Sequence, residues 1–404
     1  MSEIALKYSR FVFLIAANQR DKIEGAPMHD TNRQIWIDAL RITAGVSMVG
    51  LHATADPSGQ PWVNYAEADR VGPVILRAVL YTARTELFLI ISLFLLLMAG
   101  EKRPRSYGQT LAEQSQRLLV PFAFWTIFYA FYGLIKASSF GYLDSAISQL
   151  LNPAEWIGFA LLGSVKYHMH FVPTLFGLVL FYPLFRTAIR FPALGSLVFL
   201  CLMARHWADG YIYPNYWGSD LLPYLVRATK ILTYVGYGLV AGAAFGIWKR
   251  TAGKGLERMF PLFLLIGMGL FFFKLIASAK TIETGAWPFD YVPGYWADFL
   301  MPVVLFLGAL TLSQRQWPQL LSRLSPYSFG IYLCHPIFLD LAEISLHGSN
   351  FSPISQVLLK IAFILPATCI LVLVLRRIPM LAWTIGLGSL PKLGELFSRR
   401  STEV

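Results

Sequence analysis

Two ionisable residues bracket the apolar stretch DALRITAGVSMVGLHA (residues 38–53): Arg41 and His52, with ten residues between them. Arginine is a permanent cation that grips phosphate or carboxylate through a two-pronged fork. Histidine is the side chain that gains and loses its proton near neutral pH. On an α-helix the steps from Arg41 to His52 turn through about 1100°, which returns His52 to within ~20° of the Arg41 face, roughly 16 Å further along. Asp38 lies one turn before Arg41 on the same side, and Gly45 with Met48 or Val49 fills the stripe between. One helix face thus joins an anion-binding group to a proton acceptor. The bland readings are an Arg41–Asp38 ion pair that orders the helix start, and a His52 held by a loop at the membrane surface. Their pairing at this spacing favours chemistry.

The elements that must carry such residues are apolar. The 404-residue chain is 56% hydrophobic, 15% aromatic and only 14% charged, with a mean hydropathy of +0.53, where a soluble chain is about a quarter charged. An all-α integral membrane protein is expected. Spans of ~20 residues are needed to cross the hydrocarbon, and ten apolar runs qualify: 34–54, 73–100, 117–138, 170–190, 193–208, 222–248, 258–278, 295–312, 326–346 and 353–376. Residues 1–33, with the short apolar piece FVFLIAA, are expected to form a cytoplasmic leader rather than a signal peptide. Residues 34–378 form the transmembrane domain, and 379–404 a cytoplasmic tail. Cys201, Cys334 and Cys369 fall in separate apolar runs, which suggests packing residues rather than a disulfide or metal framework.

Charge supplies a second test of this layout. The net charge of +11 would suit nucleic acid if it formed one basic face, but the cations fall between apolar runs, which is a topology signal. With the N-terminus inside, every second loop is inside too. Those loops hold Lys102, Arg103 and Arg105; Arg186 and Arg190; Lys249, Arg250, Lys254 and Arg258; Arg315 and Arg323; and Arg376 and Arg377. The alternate loops, ADPSGQPWVNYAEADR, SSFGYLDSAISQLLNPAEW, ADGYIYPNYWGS and TIETGAWPFDYVPG, are poor in Lys and Arg and rich in aromatic residues. Both termini are therefore expected in the cytoplasm. The outer aromatic side chains suit sugar rings, or else form the aromatic belt at the headgroup level.

Five segments, in order, resemble the membrane-bound acyltransferase family 3. LRITAGVSMVGLH carries the family's arginine, ten residues, histidine. ELFLIISLFLLL matches the second-helix pattern through Glu86 and Ser92, with Leu93 where glycine is usual. QRLLVPFAFW carries Arg117 and Pro121. In YHMHFVPTLFGLVLFYPLF, His168 matches and His170 stands where tryptophan is common. LSPYSFGIYLCHPIF matches through Ser328, Gly330, Ile331, Tyr332 and His335. The resemblance covers about residues 34–378.

It implies transfer of an acyl group, acetyl or succinyl, from cytoplasmic acyl-CoA to a hydroxyl of an exopolysaccharide, another surface glycan or a lipid-linked precursor. The setting would be a multi-pass protein of the bacterial inner membrane, with membrane lipids around it, no nucleic-acid partner and no permanently bound cofactor. A sugar hydroxyl attacks a thioester faster with a base of pKa near the working pH, so His52 is expected as general base or transient acyl carrier. Arg41, Arg117, Arg103 and Lys102 are candidates for the phosphates of the donor, although Lys102 and Arg103 also suit plain positive-inside charge. Glu86 could fix the tautomer of an imidazole, as carboxylates do in triads, or simply pair with Arg84. His168 and His335, near the same level as His52, suggest a shared polar cavity. HMH is a weak zinc signal without nearby cysteine or carboxylate. Ser92 reads as a packing hydroxyl, and Tyr332 as an oxyanion donor or a packing ring. Lys274, Arg227 and Lys230 lie in apolar runs and carry no assignment. A transporter or flippase for a lipid-linked sugar or organic anion is the alternative, against which stand the missing internal repeat and the five family segments.

Overall fold

The computed structural model describes residues 34–388. These residues form fifteen α-helices and four short 3₁₀ turns, with no strand among them. In chain order the helices are α1 (Ile35–Ala53), α2 (Glu67–Leu80), α3 (Thr85–Lys102), α4 (Tyr107–Ser139), α5 (Leu143–Leu151), α6 (Pro153–Leu162), α7 (Phe171–Val179) and α8 (Tyr182–Arg190). They continue with α9 (Leu197–Tyr216), α10 (Leu222–Thr251), α11 (Phe260–Thr284), α12 (Val292–Thr311), α13 (Gln319–Leu324), α14 (Ser328–Leu346) and α15 (Pro353–Arg377).

Each of the ten apolar runs is helical. Among the described residues seven helical segments are long and apolar enough to cross a membrane, and α7 with α8, bent by 62° at their junction, would make an eighth. The remaining two runs became α1 and α9, of 19 and 20 residues. Their polar residues, Asp38, Arg41 and His52 in one and Arg205, His206 and Asp209 in the other, keep them below the apolarity of an ordinary span. Helix α1 tolerates them because other helices surround it: α2, α3, α12, α13, α14 and α15 all pack on it. The second run differs from expectation, since α2 and α3 are separated by the turn Tyr81–Arg84. The expected loop 138–156 instead holds α5 and the first turn of α6, the latter started by Asn152, whose side chain accepts from the Ala154 N–H, and by Pro153.

Contacts between loops define two ends. At one, Trp287 donates to the Gly59 carbonyl (3.3 Å), Arg70 to that of Ile282 (2.8 Å), and Lys360 to that of Ala55 (2.7 Å). At the other, Lys249 meets Glu101 (2.5 Å), Arg250 donates to the carbonyl of Arg190 (2.6 Å), and Gln314 to that of Ala252 (2.8 Å). The basic segments around 101, 190, 249–252 and 314 gather at the second end, and the aromatic loops around 55–59 and 282–287 at the first. Helix α1 joins them: Asp38 accepts from Ser325 Oγ near the basic end, and Trp62 donates to the Thr54 carbonyl just beyond its far end (2.9 Å).

Helix α10 is buried from Tyr234 to Gly246. It reaches the core because Gly238, Gly242 and Gly246 present no side chain to Phe185, Ala188 and Ile189 of α8, the close approach that small residues permit between membrane helices. After α15 the chain returns to the bundle. Trp125 donates to the Thr384 carbonyl (2.8 Å) and Ile385 is fully buried, so residues 379–388 pack as part of the domain. The leader 1–33 and residues 389–404 lie outside the described residues.

Candidate active site

A cavity of about 490 Å³ opens at the basic end. Its lining holds three arginines, Arg41, Arg105 and Arg117, against the single carboxylate of Glu113. Glu113 pairs with Arg105, while Arg117 has no ion-pair partner among the described residues. Arg41 lies 4.0 Å from Asp38 and donates to Ser325 Oγ at 3.5 Å, so one turn of α1 and the segment before α14 set its head. Ser92 and Ser328 add hydroxyls, and Phe88, Leu95, Phe171 and Phe329 supply an apolar wall. The Ser106 cap, exchanging hydrogen bonds with Gln109, begins α4 where its first turns bring Glu113 and Arg117 to this cavity.

A second cavity, about 260 Å³, is lined by His52, Arg77, Tyr81, Arg84, Thr85, Glu86, His168, His170, Lys230 and Tyr332. Here the imidazoles gather. His52 and His335 stack with ring centroids 5.5 Å apart, and His168 meets His335 edge-on at 5.2 Å. Tyr167 covers His52 at 4.2 Å. His335 has Nδ1 2.7 Å from the Tyr332 carbonyl, which fixes that nitrogen as the donor and leaves Nε2 as a lone pair. His52 Nε2, His335 Nε2 and both His168 nitrogens have no hydrogen-bond partner among the described residues. His168 sits on the turn between α6 and α7, outside the spans, where burial and then the His335 ring push its pKa well below the usual histidine range. That turn depends on Gly163, at φ +66°, where a Cβ would come within 2.6 Å of the Met169 carbonyl oxygen. Only glycine fits there.

Tyr332 lines both cavities. Its hydroxyl donates to the His168 carbonyl, and its ring packs against Phe171 at 5.3 Å, so it forms part of the wall between the arginines and the histidines. A model of an acyltransferase domain matches residues 34–377. The chain belongs to acyltransferase family 3. No curated protein and no solved structure matches it.

In this acyltransferase, Arg41, Ser92 and Arg117 share the first cavity, and His52, Glu86 and His168 the second, with Tyr332 in both. His335 is buried beside the histidine pair, and Asp38 steadies Arg41 from the helix start. Lys102 and Arg103 are exposed at the end of α3 and do not line the cavity; Arg105 does. Glu86 meets Arg84 (3.2 Å) and the Tyr234 hydroxyl, and no hydrogen bond joins it to His52 among the described residues. Its carboxylate thus belongs to an ion lattice with Arg84, Asp298 and Lys274 rather than to an imidazole.

A second lattice holds the histidine turn from the far side. Asp340 receives Lys166 (2.5 Å) and Lys136 (3.6 Å), and Lys136 also pairs with Glu343. Asp340 and Glu343 are buried. Sequence reasoning missed this group, although charged residues inside an apolar run are themselves a signal. Among the described residues no group of three or more His, Cys, Asp or Glu is arranged to hold a metal ion.

Proposed function

We propose that this acyltransferase moves an acyl group, acetyl or succinyl, from cytoplasmic acyl-CoA to a hydroxyl of an exopolysaccharide, surface glycan or lipid-linked precursor, in the bacterial inner membrane with both termini in the cytoplasm. The observation that carries the reading is the shared wall at Tyr332, which sets a cavity rich in arginine against one rich in histidine. Donor phosphates suit the first, since arginine holds them in charge-assisted pairs, and Arg41, Arg105 and Arg117 supply three such groups. The acyl arm would then reach towards His52.

The chemistry balances on these groups. His52 Nε2 accepts the proton of the acceptor hydroxyl as its oxygen bonds to the thioester carbonyl carbon. The tetrahedral intermediate collapses, the carbon–sulfur bond breaks, and the leaving thiolate takes the proton back from the imidazolium. Base catalysis of this kind contributes about 10²–10⁴-fold.

The test uses purified protein in lipid nanodiscs with labelled acetyl-CoA, alongside mass spectrometry of glycans from cells. His52→Ala should lower kcat at least 100-fold with little change in the KM for acetyl-CoA, whereas Arg41→Ala should chiefly raise that KM. Full glycan acylation by either variant at normal expression would end the reading. A transporter would neither consume the thioester nor protect it at a saturable site.

A further inference from the structure

We infer that the histidine cavity recognises an anionic group on the acceptor, a carboxylate or a phosphate, and that Arg77 and Lys230 hold it. The inference rests on the acyl-transfer reading for the identity of the acceptor, but its observations are separate.

The cavity is lined by three cations, Arg77, Arg84 and Lys230, against one carboxylate, Glu86. Arg84 uses that carboxylate and also meets Asp298 at 3.6 Å. Asp298 is shared with Lys274, so these four charges close among themselves. Farther out, Arg205 pairs with Asp209 at 3.1 Å. Arg77 and Lys230 remain without a carboxylate in ion-pair reach among the described residues.

Their donors are free as well. Arg77 spends Nη1 on the Leu51 carbonyl (3.1 Å) and Thr54 Oγ1 (3.3 Å), and its guanidinium lies over the Trp287 ring at 4.4 Å. That leaves the Nε and Nη2 edge, the fork that grips carboxylate or phosphate. The Lys230 Nζ donates no hydrogen bond among the described residues; it lies over the Tyr234 ring at 5.3 Å and shares the cavity with Glu86, whose charge it feels from beyond ion-pair reach. A cation withdrawn from water without an anion is destabilising, and a ring face answers it more weakly than a carboxylate. Two such cations beside His52 make a cavity that attracts anions and turns the neighbouring hydroxyl towards the base. Arg77 comes from α2 and Lys230 from α10, so the two grips approach from different elements.

Calorimetric titration of the purified protein, without acyl donor, tests this with methyl β-glucuronide, inorganic phosphate, free succinate and methyl β-glucoside. The glucuronide or phosphate should bind at least tenfold more tightly than the neutral glucoside. Binding of glucuronide alone assigns a sugar carboxylate, and of phosphate alone a phosphate ester of the acceptor. Lys230→Gln, Arg77→Gln and Arg77→Lys should each weaken binding at least tenfold, while Lys230→Arg stays within about threefold. Equal affinity for glucoside, or unchanged affinity in Lys230→Gln, overturns the inference. Site-dependent binding of succinate alone overturns it too, because the anion would then belong to the acyl group. Anion binding without any acetyl-CoA turnover would sink the acyl-transfer reading and leave the anion site standing.

Discussion

Tyr332 touches both cavities, and its hydroxyl and its ring do separate work there. The hydroxyl donates to the buried His168 carbonyl, and an acceptor left unpaired costs about 1–3 kcal/mol. Tyr332→Phe keeps the ring and loses the bond, so we expect it to destabilise the protein by about 1–2 kcal/mol and to lower kcat roughly tenfold as His168 loosens, with the KM for acyl-CoA unchanged. Wild-type kcat and stability in this variant would show that the bond orients nothing. Tyr332→Ala removes the wall as well, and should raise acetyl-CoA hydrolysis in the absence of acceptor, measured by thiol release. At this scale the sequence was informative wherever a residue carried its own spacing. Arg41 and His52 stand on one helix, and His168, Tyr332 and His335 sit in recognisable segments and meet in space. It was least informative about direction. Lys102 and Arg103 read like Arg105, yet only Arg105 turns into the cavity, because the chain leaves α3 between them. Partners across the fold were hidden for another reason: Lys166 and Asp340 are 174 residues apart, and one sequence shows only neighbours along the chain.

The turn Gly163–His170 places two histidines at the cavity, and its geometry hangs on Gly163. A left-handed conformation costs an ordinary residue about 1–2 kcal/mol, and here a Cβ would also meet the Met169 carbonyl oxygen at 2.6 Å and the His170 nitrogen at 2.7 Å. Gly163→Ala should therefore lower stability by more than 2 kcal/mol and reduce acyl transfer with it. Gly59 is the control. It has φ +80° but open space around it, so Gly59→Ala should cost only the conformational part, about 1 kcal/mol, and spare turnover. Similar losses in thermal unfolding and activity for the two variants would remove Gly163 from its positioning role. Helices were legible in the sequence because apolar length declares them. Their interruptions were not: the Tyr81–Arg84 turn and the 62° bend between α7 and α8 occur inside unbroken apolar runs. Helix α2 starts at Glu67, in a stretch whose aromatic and acidic residues resemble a loop. The Tyr81–Arg84 turn is where Tyr81 and Arg84 reach the second cavity beside Arg77 of α2, since a straight span would carry each residue to a fixed face.

Whole-molecule charge becomes intelligible through the two ends. The sequence assigned loops to sides by counting Lys and Arg, and contacts in the fold group these positions in the same way: 101, 190, 249–252 and 314 at one end, and 55–59, 70, 282, 287 and 360 at the other. Such agreement requires α1 and α9 to run from end to end, although neither passes as a span on apolarity. For α1 the reason is burial. Asp38, Arg41 and His52 face protein and cavity, so the helix does not need a lipid-compatible surface, and hydropathy underestimates it. Helix α9 is more exposed, with Phe199, Leu200, Trp207 and Tyr211 on its surface, while Arg205 turns inward to Asp209. Were both helices to cross, the parity of every later loop would be fixed. Single cysteines at exposed Ser58, Glu283, Lys254 and Gln316 expose that parity to a membrane-impermeant maleimide. In intact cells Ser58→Cys and Glu283→Cys should label, and Lys254→Cys and Gln316→Cys should label only after the inner membrane is permeabilised. If α9 failed to cross, Ser58 and Lys254 would label together while Glu283 stayed protected, and the arginine cavity could no longer face a cytoplasmic donor through all its walls.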